Sequence, residues 1–113
     1  MIKIYHNNRC SKSRNGVKLL EESGKEFEII KYLEDTPNEK TLQNIITLLD
    51  IKPIDLVRKN EAIWKTSFKN KTLSDAEIIT AMVQNPKLIE RPIVINNNKA
   101  VIGRPTEDIL KII

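Results

Sequence analysis

The spacing of apolar and polar residues changes several times along the chain, and each change marks the boundary of an element. Residues 3–6 alternate between polar and apolar side chains, which is typical of a β-strand. From Ser11 the apolar residues follow a helical spacing instead, and Gly24 is placed to end this helix in a left-handed conformation. Apolar residues between 27 and 32 indicate a second strand. This order predicts a βαβ unit with parallel strands and a right-handed crossover.

The middle of the chain carries two start signals for helices. Thr36 is predicted as the N-cap of the first, with a proline in the first turn and Glu39 completing a capping box. The residues that follow place four apolar side chains on one helix face: Leu42, Ile45, Ile46 and Leu49. A second capping box at residues 74–77 starts another helix, which we expect to stop near Asn85. These signals predict a helical segment over about residues 36–87.

The last third of the chain returns to strand patterns. Residues 92–95 and 100–102 are apolar and flank a polar turn at residues 96–99, which predicts an antiparallel hairpin. A final helix is predicted to start at Pro105. The resulting order is β-α-β, a block of helices, then β-β-α. This is the order of a thioredoxin-like α/β fold: one three-layer domain over residues 1–113, with a mixed four-stranded sheet and a helical insertion.

Composition and charge exclude several classes of function. The 113 residues are 40% hydrophobic and 30% charged, which supports one modest core. No apolar run exceeds three residues, whereas a membrane span needs roughly 20. The first residues turn polar too soon for a secretory signal, so we expect a cytoplasmic protein. The net charge is +4, but acidic residues are interspersed and aromatics stand at 4%, so we expect a solvated cationic surface and no nucleic-acid partner.

The chain has one cysteine, Cys10, and one histidine, His6. A disulfide within the chain is therefore impossible, and because a structural zinc site needs about four ligands we expect no metal. Cys10 is either an inert buried thiol or a reactive one. Its place between the first strand and the first helix favours the reactive thiol, because a helix N-terminus stabilises a thiolate. Three cationic neighbours in the sequence are expected to act in the same direction: Arg9, Lys12 and Arg14.

Ser13 stands where a two-cysteine redox motif carries its second thiol. Serine cannot form a disulfide, so an adduct on Cys10 must be resolved by a thiol from another molecule. Two roles remain open for Ser13. Its hydroxyl either donates a hydrogen bond to the sulfur or to a bound oxyanion, or it satisfies backbone groups in the first helical turn.

Further candidates lie in loops that are distant in the sequence. Pro92 occupies the position that holds a cis proline in thioredoxin-like folds, with a trans proline at a strand start as the alternative. Arg58, Arg91 and Arg104 would each be read alone as a surface residue. The predicted topology, however, lets the loops of Arg91 and Arg104 open on the same edge as Cys10. Guanidinium groups converging on one thiolate would form a site for a tetrahedral oxyanion.

These segments resemble a known family. Residues 5–15 (YHNNRCSKSRN) closely resemble the active-site segment of the glutaredoxin-coupled arsenate reductases. Those enzymes form the ArsC family, which also contains the Spx regulators and YffB-like proteins. Four later segments resemble the family's later blocks in the same order: residues 32–33 with the capping box that follows, 56–61, 90–94 and 103–105. The resemblance covers essentially the whole chain.

The resemblance implies a cysteine that attacks arsenate. The adduct would be captured by glutathione and reduced through glutaredoxin to release arsenite, so glutathione is a co-substrate and no cofactor is bound. Carried over by position, Cys10 is the nucleophile, His6 tunes the thiolate, and Ser13 and Pro92 have supporting places. Three arginines match those that hold the oxyanion and lower the cysteine pKa: Arg58, Arg91 and Arg104. Nothing in the sequence suggests an exposed apolar interface, so we expect a monomer.

Two positions depart from the family pattern, and both bear on the substrate more than on the fold. Ser11 stands where the reductases commonly have glycine, and Gly103 precedes the last arginine where an Arg-x-x-Arg-Pro run is usual. One alternative function is a YffB-like, glutathione-dependent thiol oxidoreductase acting on other oxidised substrates. Another is an Spx-like regulator that binds RNA polymerase, although such regulators often use a two-cysteine switch, which Ser13 precludes.

Overall fold

Four short strands form one mixed sheet in the computed structural model, which describes residues 1–113. They are β1 (Ile2–Tyr5), β2 (Phe27–Ile30), β3 (Ile93–Asn96) and β4 (Lys99–Ile102). The order across the sheet is β2-β1-β3-β4. Strand β1 runs parallel to β2 and antiparallel to β3, and β4 returns antiparallel to β3. The mixed four-stranded α/β sheet predicted from the sequence is confirmed.

Helix α1 (Ser11–Ser23) connects the two parallel strands and packs on the sheet. It ends at Gly24, whose φ of 74° is the left-handed conformation predicted for this residue. The core under the helix is formed by five buried apolar side chains from the helix, the sheet and the C-terminal segment: Ile2, Ile4, Leu20, Val94 and Ile109. The strand and helix periodicities in the sequence therefore marked the correct inward faces.

The chain divides into two compact units. The sheet unit consists of residues 1–35 and 91–113, and it contains the four strands and α1. The helical unit consists of residues 36–90. Its helices are α2 (Glu39–Leu49), α3 (Ala62–Ser67) and α4 (Asp75–Gln84), together with 3₁₀ turns at Pro53–Leu56 and Pro86–Leu88. None of these helices has the length and the apolar character that a membrane span requires.

The start of α2 differs from the prediction. Asn38, rather than Thr36, is the N-cap, and its side chain accepts a hydrogen bond of 2.8 Å from the backbone N–H of Thr41. Asparagine caps at least as well as threonine, and here the later of the two capping residues, which are separated by Pro37, starts the helix. The apolar face was assigned correctly, since Leu42, Ile45 and Ile46 are buried.

The second capping box is confirmed. Ser74 Oγ accepts from the backbone N–H of Glu77 at 3.2 Å, and the Glu77 carboxylate accepts from the backbone N–H of Ser74 at 2.9 Å. The helix that follows ends at Gln84, next to the predicted stop. Such reciprocal bonds satisfy two helix-end N–H groups with side chains only three residues apart.

The C-terminal hairpin is tighter than predicted. Asn96 and Lys99 pair with each other inside the ladder, which leaves a two-residue turn at Asn97 and Asn98. Asn97 has a φ of 58°, a conformation that asparagine tolerates and that two-residue hairpins require. The last helix, Thr106–Lys111, is a 3₁₀ helix rather than an α-helix. Short α3 had no capping signal and was not predicted.

Candidate active site

Four loops meet at one edge of the sheet. Tyr5 pairs with Ile30 on the parallel side and with Ile93 on the antiparallel side, and Ile93 pairs with Ile102. The loops that follow β1, β2 and β4, and the loop that precedes β3, therefore lie at the same edge. These loops carry four chemically useful side chains: Cys10, Tyr32, Arg91 and Arg104.

Cys10 is the N-cap of α1 and is partly exposed. Its backbone is extended (φ −98°, ψ 122°), and its N–H donates to the carbonyl of Asn7 at 3.0 Å. The sulfur makes no conventional capping hydrogen bond, and the first turn of α1 contains no acidic residue. The partial positive charge of the helix start therefore acts on the thiol without a competing carboxylate.

The pKa of the Cys10 thiol lies below its ordinary value. Burial by itself raises this pKa, but the backbone N–H groups of Ser13 and Lys12 favour the thiolate. The side chain of Arg91 lowers the pKa further, through a hydrogen bond and through its charge. Together these contributions outweigh burial, so the thiolate is more populated at neutral pH than in a free cysteine.

Arg104 makes the direct contact with the sulfur. Its Nη2 donates to Cys10 Sγ at 3.4 Å, while its Nε donates to the backbone carbonyl of Arg91 at 2.8 Å. The hydrogen bond from Nε fixes the orientation of the planar guanidinium, so that Nη2 faces the sulfur. Backbone N–H groups and Arg91 lower the thiol pKa, and Arg104 makes the 3.4 Å contact with the sulfur, so the two arginines act on the sulfur in different ways.

Pro92 fixes the loop that carries Arg91. The peptide bond between Arg91 and Pro92 is cis, one of the two possibilities that the sequence leaves open. The backbone carbonyl of Pro92 accepts from the N–H of Gly103 at 2.8 Å, and the proline ring lies against Gly16 and Gly103. A Cβ atom on Gly103 would come within 2.9 Å of Pro92 Cγ, so only glycine fits there without a shift. The departure from the family pattern at Gly103 coincides with this close packing.

His6 and Ser13 form a buried hydrogen-bonded pair behind the cysteine loop. His6 Nδ1 and Ser13 Oγ are 2.6 Å apart, and Ser13 Oγ also accepts from the backbone N–H of Asn7 at 3.0 Å. Ser13 is completely buried. Its hydroxyl therefore holds the loop together, and its backbone N–H is the group that acts on the thiol.

His6 favours the neutral form. Burial lowers the pKa of His6, the charges of Lys31 and Arg14 lower it further, and hydrogen bonding with Ser13 opposes them only in part. A neutral imidazole can accept a hydrogen bond from the Ser13 hydroxyl at Nδ1, while Ser13 Oγ accepts from the backbone N–H of Asn7. The buried hydroxyl of Ser13 thus both donates a hydrogen bond and accepts one.

Arg58 belongs to the helical unit. Its backbone N–H donates to the carbonyl of Leu88 at 2.7 Å, and Val57 and Ile89 form an antiparallel bridge beside it. Its Nε lies 3.9 Å from a carboxylate oxygen of Glu90, and both side chains are 25% exposed. Its role in holding an oxyanion stays a prediction.

The cationic neighbours of Cys10 in the sequence have little effect on the thiol. Arg9, Lys12 and Arg14 are exposed, and the guanidinium of Arg14 donates to the backbone carbonyl of Asn8 at 3.0 Å. None of the three side chains is among the groups that lower the thiol pKa. All three side chains are exposed, where charges are screened, so the expectation that they stabilise the thiolate is not supported.

Tyr32 was missed as a site residue in the sequence. Its side chain is 1% exposed, and the side chains of Arg91 and Asn7 lie near enough to lower the pKa of its hydroxyl. Burial raises the pKa of Tyr32, the charge of Arg91 opposes this, and the Cys10 thiolate raises it again. The available signal was its position just after β2, because parallel strands bring their carboxyl ends to the same edge.

No group of three or more His, Cys, Asp or Glu side chains is arranged to hold a metal ion. The arrangement at the sheet edge is instead a partly exposed thiol beside two guanidinium groups. A thiolate in such surroundings can act as a nucleophile, and the guanidinium groups can bind an anion next to it.

Comparisons with known proteins place the chain in a family. The sequence model of the ArsC family matches residues 5–112. The uncharacterised protein YfgD of Escherichia coli K12 is 46% identical over 99% of this chain and 96% of its own length. An arsenate reductase of Neisseria meningitidis serogroup A is 40% identical over 96% of this chain and 94% of its own length.

A solved structure of an arsenate reductase from Vibrio cholerae superimposes with a TM-score of 0.94. It is 40% identical and the match covers 99% of this chain and 97% of that one. The sheet topology is therefore that of the thioredoxin-like arsenate reductases. On the family model, the relatives and the fold together, the chain belongs to the ArsC family.

Proposed function

We propose that this protein reduces arsenate to arsenite, with Cys10 as the nucleophile and glutathione and glutaredoxin as the source of electrons. The observation that carries the proposal is the sulfur at the N-terminus of α1, with Arg104 Nη2 at 3.4 Å and a thiol pKa lowered by Arg91. Relatives named arsenate reductase at 40% identity support the choice of substrate.

Arsenate is a tetrahedral oxyanion that carries negative charge at neutral pH. The guanidinium groups of Arg91 and Arg104 offer planar pairs of N–H donors to such an anion, next to the sulfur that is to attack it. We include Arg58 as a third arginine of the site on the strength of the sequence pattern. Orientation by these donors brings arsenic and sulfur together, which is a large part of the catalytic effect in such reactions.

The proposed reaction has two steps on the protein. Cys10 sulfur forms a bond to arsenic(V), and one arsenate oxygen leaves as water after taking up protons. The thiol of glutathione then attacks Cys10 sulfur, and the electron pair of the sulfur–arsenic bond passes to arsenic. Arsenite leaves, arsenic has gained two electrons, and Cys10 and glutathione have each lost one to form a mixed disulfide.

Regeneration of Cys10 requires a thiol from outside the chain. The chain contains one cysteine, and Ser13 stands at the place of a resolving thiol, so no internal disulfide can form. Glutaredoxin is proposed to reduce the mixed disulfide by thiol exchange. A thiol-dependent cycle of this kind suits a reducing compartment, which favours the cytoplasm. The groups assigned to the sulfur all belong to one chain, so we propose that a monomer is active.

The test is arsenate-dependent oxidation of NADPH in the presence of glutathione, glutaredoxin and glutathione reductase. Turnover is expected to require all of these components, and arsenite is expected to accumulate in proportion to the NADPH consumed. Cys10→Ser is expected to reduce turnover to the background rate, because an alcohol at this place is not ionised. Lys18→Gln, a change on the exposed face of α1, is the matched control and is expected to retain activity.

Two outcomes would contradict the proposal. Arsenate turnover that persists in Cys10→Ser would remove Cys10 as the nucleophile. Glutathione consumption with a mixed-disulfide substrate but none with arsenate would favour a glutathione-dependent thiol oxidoreductase instead.

A further inference from the structure

Asn7 lies in the loop that leads from β1 to α1, and the proposed mechanism gives its side chain no task. It is 7% exposed, whereas the two residues that follow it, Asn8 and Arg9, are exposed. Burial of an amide is costly unless its polar atoms have hydrogen-bond partners. A buried asparagine at this place therefore indicates a specific set of bonds.

Three hydrogen bonds join Asn7 to the residues around the cysteine. The backbone carbonyl of Asn7 accepts from the N–H of Cys10 at 3.0 Å, which closes a turn over residues 7–10. Its side-chain Oδ1 accepts from the backbone N–H of Arg9 at 3.0 Å, and its own N–H donates to Ser13 Oγ at 3.0 Å. Asparagine is favoured at the first position of such a turn, because its side chain can accept from the N–H two residues later.

The turn fixes Cys10 from one side, and α1 fixes it from the other. The carbonyl of Cys10 accepts from the N–H of Arg14 at 3.0 Å, which is the first hydrogen bond of the helix. Both backbone polar groups of Cys10 are thus bonded, the N–H to the turn and the carbonyl to the helix. Rotation about the Cα–Cβ bond is then the only freedom that the sulfur retains.

We propose that Asn7 is a positioning residue, whose side chain holds the turn that keeps the Cys10 sulfur beside Arg104 at the start of α1. Arg104 comes from the loop after β4, so the 3.4 Å between its Nη2 and the sulfur depends on where the turn places Cys10. The amide of Asn7 is neutral, so it fixes the turn without adding a negative charge near the thiolate. The inference rests on the proposed function only for its kinetic consequences.

The test is Asn7→Ala, which removes the side-chain acceptor and leaves the backbone groups of residue 7 in place. The thiol pKa of Cys10 is expected to rise toward about 8.5, because the sulfur is then held less well at the helix start. The pH dependence of alkylation by iodoacetamide measures it. In the coupled assay kcat is expected to fall about three- to ten-fold, as for the loss of one hydrogen bond. The KM for arsenate is expected to stay nearly unchanged, because the proposed oxyanion donors lie in other loops.

Asn8→Ala is the matched control, because Asn8 is the same residue type one position later. It is exposed, and its hydrogen bond with Arg14 uses its backbone carbonyl, which the substitution keeps. Its thiol pKa and kcat are expected to equal those of the wild type.

Asn7→Ser tests for rescue. A serine hydroxyl can also accept from the N–H two residues later, although more weakly. Its thiol pKa and kcat are therefore expected to lie between those of the wild type and those of Asn7→Ala. If Asn7→Ala folds poorly, Asn7→Leu keeps a branched side chain without an acceptor and is expected to show the same rise in thiol pKa.

The thiol pKa is measured without arsenate, so the two proposals fail independently. A raised thiol pKa in Asn7→Ala with recovery in Asn7→Ser, in a protein that does not reduce arsenate, would keep the positioning role and remove the proposed substrate. A wild-type thiol pKa and kcat in Asn7→Ala would overturn the role of Asn7 even if arsenate is reduced. Equal changes in Asn7→Ala and Asn7→Ser would also overturn it, because the acceptor would then be irrelevant.

Discussion

At the scale of single residues, Arg91 and Arg104 act on the same sulfur by different means. Arg104 joins two fixed points, the carbonyl of Arg91 through Nε and Cys10 Sγ through Nη2. Arg91 contributes charge and a hydrogen bond, and both lower the thiol pKa. Lysine has a single compact ammonium on a flexible stem, so it cannot offer the rigid, planar set of donors by which Arg104 holds both contacts.

Arg104→Lys is therefore expected to raise the KM for arsenate roughly ten-fold, because one charge-assisted hydrogen bond is lost. Arg91→Lys is expected to raise the thiol pKa in addition. Steady-state kinetics and the pH profile of alkylation measure these two effects.

Arg9→Lys is the matched control for both variants, since Arg9 is exposed and uses its backbone N–H on the side chain of Asn7. An unchanged KM in both Arg91→Lys and Arg104→Lys would argue against an oxyanion site built from guanidinium groups.

The sequence was enough to single out Cys10 and to bring Arg91 and Arg104 to its edge of the sheet, because that edge follows from the strand order alone. It was not enough to assign the electrostatics. Neighbours in the sequence such as Arg14 were expected to act on the thiol, whereas the structure gives that effect to backbone N–H groups and to Arg91. Side-chain direction depends on packing across the fold, which a linear pattern does not contain.

At the scale of elements, the helix starts show which local signals are decisive. The capping box was predicted because Ser74 and Glu77 have the spacing of three residues that this motif requires. The start of α2 offered two polar residues within the same turn, Thr36 and Asn38. The asparagine caps the helix, which a sequence pattern alone does not decide.

Asn38→Ala is expected to destabilise the protein by about 1 kcal/mol, because the backbone N–H of Thr41 loses its acceptor. Asn38→Asp keeps an acceptor and adds a negative charge at the helix start, so it is expected to stay within a few tenths of a kcal/mol of the wild type.

Urea unfolding measures both changes as a shift in the midpoint. Equal stability of Asn38→Ala and Asn38→Asp would show that this cap does not contribute to folding.

At the scale of the whole molecule, the sheet unit brings together two segments that are separated by 55 residues of helical unit. Cys10 and Tyr32 come from the first segment, and Arg91 and Arg104 from the second. The lowered pKa of Cys10 is thus a property of the folded sheet unit and is absent from the unfolded chain. A thiol pKa that differs between the two states makes stability depend on pH.

The sign of this dependence follows from the lowered thiol pKa. The folded state releases the proton more readily, so the stabilisation is fully present above the unfolded thiol pKa of about 8.5. It is lost as the pH falls through the folded pKa. The difference in unfolding free energy between the wild type and Cys10→Ser is therefore expected to grow as the pH is raised toward about 9.

Urea titrations of both proteins across this pH range provide the measurement. His6 and the carboxylates are common to both proteins, so their contributions cancel in the difference. Two curves that stay parallel from neutral pH to about pH 9 would mean that the thiol pKa is the same in the folded and unfolded states.

The first turn of α1 contains no acidic side chain, and this has a consequence for the catalytic cycle. When the sulfur is bonded to arsenic or to glutathione it has lost its own negative charge, so the partial positive charge at this helix end has no anion of this chain opposite it. When the free thiolate returns, the helix end recovers its counter-charge. The reactive end of the molecule is thus expected to be most rigid when it is ready for the next substrate, and to loosen while the sulfur is blocked.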